Sequence, residues 1–566
     1  MPGRLVRSKI VQGGLDMANE SDAAAVEEVG ILLVHGMGEQ EQHAHLKATA
    51  REFGFFLDAT QDVLRLSIVE QPEKPGIIVV DAAFKHSGGG ERRVRFHLHE
   101  AWWADLGISG GAGAQLKFWL WGLGMWAARV IRKGNPSRNT MKLMTVPHFG
   151  PQKSEANAVA PGFFRKLPSR AMLAGAALLA ILTFFTWSAA KRVIAFLSNR
   201  GPDPSLIFLF LGDVMIYAED GGPTGGSLQD PGQPMRATIR RRVVGKMVEM
   251  AAYGYDRWYI FAHSLGTVPA FNAVQETELA LPNYLTEAQW RGLPKALKTK
   301  NPYVPAATKH DPPKTKRMMP RRPAWLEDTD AIDRVKLFAR FRGLVTYGSP
   351  LDKFAALWPR VVPLNLQADV FPVGCEWVNL HDPTDPVSAS LDAFAPPPNI
   401  HDPSLKLAPI KPHNVPTRAS PIFGLSHIRY FCPRRGSPNS MPEAIAEALA
   451  DGTSLARATD NAKMTTAETW ARALWSLLQL IVLVAALTVA AAYVLILVGK
   501  ALPDQAAARV RQVLDAIDPR LVEMIRGDWP EALLASGLIL LALAALAILA
   551  SGLTRMVADL IRPAHS

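Results

Sequence analysis

The fold is decided by residues 257–274, which read RWYIFAHSLGTVPAFNAV. The apolar first half is typical of a buried strand, and the alanine-containing second half favours a helix. Between them Ser264 lies in a sharp turn, with Ala262 two residues before it and Gly266 two residues after it. Small residues are needed there when a strand, a tight turn and a helix hold a serine in a strained backbone. The stretch predicts that Ser264 is a nucleophile, and a helix N-cap is the simpler alternative.

A second strand and turn lie upstream, in residues 29–40 (VGILLVHGMGEQ). Acyl transfer by a serine needs two backbone amides that stabilise the oxyanion, one after such a strand and one directly after the nucleophile. We expect these amides to belong to Met37 and Leu265. Five residues are expected to support the two turns without reacting: His35, Gly36, Gly38, His263 and Gly266.

A nucleophilic serine also needs an acid downstream, and two strand-like blocks offer one. Residues 375–387 (CEWVNLHDPTDPV) form an apolar run followed by a loop with two aspartates. Asp385 is the favoured acid, although nearby prolines also allow it to be a turn former. Asp382 in the same loop, and Asp352 in the block ARFRGLVTYGSPLDKF (339–354), remain alternatives.

The base must be a histidine that follows the acid. Residues 424–431 (GLSHIRYF) place His427 at the end of a proline-rich stretch, directly before an apolar and aromatic run. His401 and His413 also follow the acid but lie inside that stretch. In the favoured triad Ser264 attacks a carbonyl group, His427 transfers its proton, and Asp385 orients the imidazole ring.

Composition narrows the class of protein further. The chain has 566 residues, of which 48% are hydrophobic and 20% charged, and its mean hydropathy is +0.06. This is too apolar for a disordered chain and favours membrane segments. Two cysteines supply neither a disulfide framework nor a paired zinc motif. We expect no metal and no organic cofactor.

The net charge of +11 is concentrated in residues 291–325, which contain ten basic residues and one acid. Seven prolines make this segment a poor helix and predict a surface loop. It is either a solvated loop or a contact with anionic phospholipid headgroups. Nucleic acid is not expected as a partner, because no recognition motif accompanies the charge.

Three uncharged stretches are long enough to cross a bilayer: 171–190, 474–498 and 532–553. The last two predict a helical hairpin. The first interrupts the hydrolytic motifs, so we expect it either to pair with residues 116–131 in the membrane or to lie in the interface. Residues 116–131 contain three tryptophans and are alternatively a buried helix of the domain.

The blocks HGMGEQ, GDVMIYAED, FAHSLGT, TYGSPLD and NLHDPTDPVS resemble, in content and order, those of the intracellular phospholipase A1 proteins of the DDHD-domain family. More broadly, the chain is similar to lipase-type serine hydrolases of the α/β-hydrolase superfamily. The resemblance implies the nucleophile, acid and base at Ser264, Asp385 and His427. It also implies a glycerophospholipid or a related acyl ester as substrate.

The sequence thus predicts an α/β-hydrolase fold, a mostly parallel sheet flanked by helices, with membrane-embedded helices. After a flexible N-terminus (1–27), we expect the domain to consist of residues 28–160 and 205–440. The basic segment 291–325 and the proline-rich loop 396–421 are candidate lids at the mouth of the site.

The predicted activity is that of a membrane-anchored serine hydrolase that cleaves acyl esters of lipids. Membrane lipids are the expected partners, and the expected location is a bacterial-type cytoplasmic membrane with the catalytic domain on the cytoplasmic side. An acyltransferase or thioesterase would use the same triad. A non-catalytic receptor or scaffold that retains the fold is the alternative from another class.

Overall fold

A computed structural model describes the parts of the chain that carry most of these motifs. The described residues are 26–36, 41–59, 63–71, 76–85, 91–106, 217, 235–301, 320, 322–357, 361–362, 371–372, 374–385, 387–395, 407–408, 410–422, 425–431, 440–476 and 478–479.

The described residues form alternating strands and helices. The strands are β1 (Glu27–Val34), β2 (Val63–Glu70), β3 (Ile77–Lys85), β4 (Glu91–Glu100), β5 (Arg257–His263), β6 (Lys298–Lys300), β7 (Asp330–Ile332), β8 (Phe341–Tyr347), β9 (Phe371–Pro372), β10 (Glu376–His381), β11 (Leu407–Ala408) and β12 (His413–Pro416). The α-helices are α1 (Ala44–Ala59), α2 (Met235–Tyr253), α3 (Thr267–Gln275), α4 (Glu287–Gly292), α5 (Arg334–Leu337), α6 (Leu351–Leu357), α7 (Met441–Asp451) and α8 (Leu455–Ala462), and the backbone is helical again over 466–476 and at 478–479.

Eight strands form one mixed sheet in the order β12-β10-β8-β5-β1-β4-β3-β2. Every pair from β12 to β4 is parallel, whereas β4, β3 and β2 pair antiparallel. The carboxyl ends of β1, β5, β8 and β10 therefore meet at one edge, where an open sheet of this kind places its functional loops. This confirms the prediction of a mostly parallel sheet flanked by helices.

Both faces of the central strands of the sheet are buried, as the continuous apolar runs of β1 and β5 indicate. On one face Leu32 and Val34 belong to a core with α2 and α3. On the other face Ile31 and Leu33 belong to a core with α1, α7 and α8. Because side chains alternate along a strand, helices cover the two faces of β1 at successive residues.

The second core continues past the predicted domain boundary at residue 440. Helix α7 begins with a capping box between Ser440 and Glu443, and it buries Ile445 and Leu449 against the sheet. A serine followed three residues later by glutamate is a sequence signal for a helix start. The core that covers this face of the sheet therefore includes helices that follow residue 440.

Two predicted loops contain strands. In the proline-rich stretch 396–421, His413–Pro416 form β12 at the edge of the main sheet, where a proline can be tolerated because one side of the strand has no partner. In the basic segment 291–325, Lys298–Lys300 pair with β7. The Lys300 Nζ atom lies 2.6 Å from an Asp330 carboxylate oxygen, so acids outside the basic segment neutralise part of its charge.

The predicted membrane segments 116–131, 171–190 and 532–553 lie outside the described residues, as do residues 1–25 and most of 474–498. Within the portion that the structure describes, no helix has the length and apolar character needed to cross a bilayer.

Candidate functional site

Ser264 occupies the turn that the sequence predicts between β5 and α3. Strand β5 ends at His263, and Ser264–Gly266 form a single 3-10 turn that leads directly into α3. Ser264 has a φ of 52°, in the left-handed region that a residue with a side chain rarely adopts. Such strain is concentrated at functional sites, because the surrounding structure must hold it in place.

The two glycines around the turn are required by close approach of the backbone. A Cβ atom on Gly266 would lie 2.2 Å from the carbonyl oxygen of His35, and one on Gly36 would lie 2.6 Å from the Cβ of Ser264. The end of β1 and the turn after β5 are therefore in direct contact. This explains why the blocks VHG and AHSLG are both needed at this edge of the sheet.

The structure brings together the three side chains predicted as nucleophile, base and acid. The Ser264 Oγ lies 2.8 Å from the His427 Nε2. The His427 Nδ1 lies 3.0 Å from one Asp385 oxygen and 3.2 Å from the other. Since a carboxylate only accepts hydrogen bonds, Nδ1 carries the proton and Nε2 accepts from the serine hydroxyl. This is the orientation that a general base requires.

The environment of Asp385 keeps its carboxyl group ionised. Burial by itself raises the pKa of this group, but the ring of His427 and hydrogen bonds from Val387 and Tyr430 outweigh it and lower the pKa to about 2. The Val387 amide donates to one oxygen at 2.8 Å, and the Tyr430 hydroxyl donates to the other at 2.8 Å. Asp385 is thus a fixed negative charge against the side of the histidine ring that faces away from the serine.

Tyr430 is a residue that the sequence analysis did not single out. Besides its bond to Asp385, its hydroxyl accepts from the Asp382 amide at 3.0 Å and lies 2.9 Å from the Ser388 Oγ. Burial raises the pKa of the phenol, and the Asp385 charge raises it further, so the hydroxyl remains a donor. Tyr430 lies two residues past the 3-10 turn Leu425–Ile428 that carries His427, and no local pattern in the sequence marks it.

The two alternative acids have other partners. Asp382 accepts bonds from the Thr384 amide at 2.9 Å and the Ala419 amide at 2.6 Å, and it pairs with Arg472 at 2.8 Å. Asp352 lies at the start of α6 and pairs with the neighbouring Lys353 at 3.2 Å. The contacts of Asp382 are typical of a residue that closes a loop.

Of the two alternative histidines, His413 lies on β12 and pairs with Asp460 at 3.2 Å. His401 lies outside the described residues.

The histidines of the two turns bond to the main chain. The His35 Nδ1 lies 2.6 Å from the Gly36 carbonyl, its Nε2 accepts from the Trp103 amide at 3.0 Å, and its ring stacks on that indole. His263 donates through Nε2 to the carbonyl of His427 at 2.8 Å. Burial lowers the pKa of both rings to about 3, so both are neutral at physiological pH.

The block TYGSP makes room for the ring of His427. Gly348 has a φ of 62°, and a Cβ there would lie 3.1 Å from two atoms of the His427 ring. Behind Ser264, the Ser349 Oγ lies 2.9 Å from the Thr267 Oγ1, which itself bonds to the Ser264 carbonyl at 2.7 Å. The carboxyl end of β8 thus supports both His427 and the turn that contains Ser264.

One of the two predicted oxyanion amides can be placed. Leu265 directly follows Ser264 and is fully buried in the 3-10 turn, at the amino end of α3. The first amides of a helix have no carbonyl partner within it and point toward an anion. Met37 and Gly38, on the other turn, lie outside the described residues.

Across the described parts of the chain, no group of three histidine, cysteine or acidic side chains is arranged to hold a metal ion. The hydrogen-bonded chain from Ser264 to Asp385 is an arrangement that can activate a hydroxyl nucleophile.

No protein-family model, no curated protein and no solved structure shows significant similarity to this chain.

Proposed function

We propose that the chain is a membrane-anchored serine hydrolase with an α/β-hydrolase fold, which cleaves acyl esters of lipids. The observation that carries this proposal is the continuous hydrogen-bonded chain from the Ser264 Oγ through His427 to Asp385, which begins at a serine with a strained backbone. An N-cap role for Ser264 accounts for neither the strain nor the histidine.

The reaction follows from the directions of these hydrogen bonds. The Ser264 Oγ attacks the ester carbonyl while its proton passes to the His427 Nε2, and the ionised Asp385 stabilises the imidazolium that forms. The alcohol then leaves with that proton, and an acyl group remains on the serine. Water attacks the acyl-enzyme, His427 again takes and returns one proton, and the carboxylic acid is released with Ser264 restored.

The choice of lipid as substrate is supported by the sequence and by one surface. Uncharged apolar runs at 171–190, 474–498 and 532–553 place hydrocarbon-compatible segments on both sides of the catalytic residues in the chain. The last described helix, which leads into the second of these runs, exposes Trp470, Leu474 and Leu478. An ester with long acyl chains is the substrate that such a protein meets at its own surface.

The test is covalent labelling with a fluorophosphonate probe, which reacts with activated serines. The full-length protein in lipid nanodiscs should be labelled, and Ser264→Ala should lose all labelling. Ser67→Ala, at an exposed serine on β2, is the matched control and should be labelled like the wild type. Peptide mass spectrometry should locate the probe on Ser264.

Labelled wild-type protein is then assayed for release of fatty acid from phospholipid vesicles, and the release should disappear in Ser264→Ala. Unlabelled wild type of normal thermal stability would contradict the triad and favour the receptor or scaffold. Normal labelling combined with hydrolysis of soluble esters but not of lipids would contradict the substrate class alone.

A further inference from the structure

The start of the last described helix is fixed by contacts within its own first turn. Thr465 and Glu468 form a capping box: the Thr465 amide donates to the Glu468 carboxylate at 3.0 Å, and the Glu468 amide donates to the Thr465 Oγ1 at 3.3 Å. The backbone is helical over 466–476 and at 478–479. We refer to residues 466–476 and 478–479 as the C-terminal helix. Its start is fixed locally, so its two faces have defined directions.

One face of the C-terminal helix is bonded to the loop that follows β12. Arg472 reaches Asp382 at 2.8 Å and also donates to the Ser420 carbonyl. The Trp475 Nε1 and the Gln479 Nε2 both donate to the Pro421 carbonyl, at 3.1 and 2.9 Å. Residues spaced by three and four lie on one side of a helix, so these contacts define its inner face.

The opposite face is apolar and exposed. Trp470 is 66% exposed, Leu474 63% and Leu478 48%, at a spacing of four residues. Ala467 and Ala471 are also exposed on the same side. At 100° per residue these five positions span about 100° of the helix, which is the width of the apolar face of an amphipathic helix. We call this set the apolar stripe.

The bilayer is the occupant that the chain itself indicates for the stripe. No charged residue occurs between Arg472 and Lys500, so the helix that carries the stripe leads directly into an uncharged apolar run. The aromatic residue, Trp470, is the first large side chain of the stripe, and tryptophan is enriched where hydrocarbon meets headgroups. If a protein partner covered the apolar stripe, nothing would explain why the same helix continues directly into an uncharged apolar run.

We infer that the apolar stripe lies in the membrane interface, and that the inner face of the same helix holds the catalytic domain against the bilayer in one orientation. Pro421, which receives two of the inner-face bonds, precedes the base His427 by six residues. The carboxyl edge of the sheet is thus attached to the membrane through a bonded helix rather than a flexible linker. This inference rests on the membrane location in the proposed function but not on its chemistry.

Site-directed spin labelling tests the inference in the full-length protein. Single cysteines replace Trp470, Leu474 or Leu478 in a background that carries Cys375→Ala, Cys432→Ala and Ser264→Ala. The labelled proteins are placed in nanodiscs of phosphatidylethanolamine and phosphatidylglycerol. Asn461→Cys, at an exposed position on α8, is the matched control in water. Collision rates with oxygen, which dissolves in hydrocarbon, and with a water-soluble nickel chelate are compared at each position.

The expected result is a higher oxygen rate than nickel rate at 470, 474 and 478, and the reverse at 461. High nickel accessibility at 470 and 474, equal to that at 461, would overturn the inference because the stripe would lie in water. Exclusion of both reagents would also overturn it, since a protein surface would then cover the stripe. The labels are read in Ser264→Ala, so a failure here is distinct from a failure of fluorophosphonate labelling.

Discussion

Asp382 and Asp385 lie three residues apart at the end of β10, and both are almost fully buried. The structure gives them different partners, so replacing each by asparagine should have opposite consequences. Asn has nearly the same shape as Asp but no charge, and it offers an amide donor where the carboxylate only accepts.

In Asp385→Asn the group that faces the His427 Nδ1 no longer requires a proton on that nitrogen. The ring can then adopt the other tautomer, in which Nε2 carries the proton and cannot accept the one from Ser264. In a serine protease the same change lowers kcat by about 10⁴-fold, and we expect a loss of that order here. The lowering of the carboxyl pKa from 3.8 to about 2 corresponds to a stability contribution of about 2 kcal/mol at neutral pH, which the variant also loses.

Asp382→Asn should instead act on stability. It removes the charge that pairs with the guanidinium of Arg472, whose side chain is only 14% exposed. Breaking a buried pair by removal of one partner costs about 3–5 kcal/mol. The remaining folded molecules should keep kcat within about tenfold of the wild type, because Asp385 and His427 keep their own contacts.

The two variants are compared by hydrolysis of a soluble p-nitrophenyl ester per folded molecule, and by urea unfolding of the same preparations. The expected pattern is a large loss of kcat with modest destabilisation for Asp385→Asn, and the reverse for Asp382→Asn. A fall in kcat for Asp382→Asn as large as that for Asp385→Asn would refute the assignment of the acid. So would an Asp385→Asn protein that retains more than about a tenth of the activity.

Three further predictions concern the surroundings of the triad. Tyr430→Phe removes one hydrogen bond to Asp385 and should lower kcat about tenfold with little change in KM, measured with the same ester. An unchanged kcat would show that this bond has no role in positioning the Asp385 carboxylate. Gly266→Ala forces a Cβ against a main-chain carbonyl and should destabilise the fold by about 3 kcal/mol or prevent folding. Gly292→Ala is the control and should not destabilise the fold, because a Cβ added there would have no atom within 4 Å. Equal unfolding midpoints for the two variants would contradict the close approach at Gly266. The pKa of His263 is about 3 in the folded state and 6.5 ordinarily, so between pH 6.5 and about 3 the unfolded state binds one more proton than the folded state. As the pH decreases through this range, the free energy of unfolding should therefore fall by about 1.4 kcal/mol per pH unit because of this ring. His263→Gln should reduce the slope of unfolding free energy against pH by one proton, and an unreduced slope would show that the ring is protonated in the fold.

The residues that sequence reasoning located well are those whose local pattern is dictated by the main chain. The apolar runs of β1 and β5 end in turns where Gly36 and Gly266 are needed for close approach, so the pattern identifies strands and turns together. The order of the later blocks then brought Asp385 and His427 to the same edge, because parallel strands end on one side.

What the sequence could not supply depends on contacts between distant segments. Tyr430 acts through a residue 45 positions away, and Asp382 is distinguished from Asp385 by Arg472, 90 positions away. Neither relation leaves a periodic signal. The strands β6 and β12 were obscured by prolines and basic residues, whose local preferences were overcome by pairing with a neighbouring strand.

The long separations within the site have a consequence for biosynthesis. Ser264 and His427 are 163 residues apart, and the ion pair between Arg472 and Asp382 closes only after a further 45 residues have been made. During synthesis from the amino end, Ser264 therefore emerges long before His427, and the loop that bears His427 gains its last support just before the apolar run that begins at 474. Under the proposed function, the serine lacks its base until residue 427 has been made, which is after the apolar run 171–190 and before the run that begins at 474.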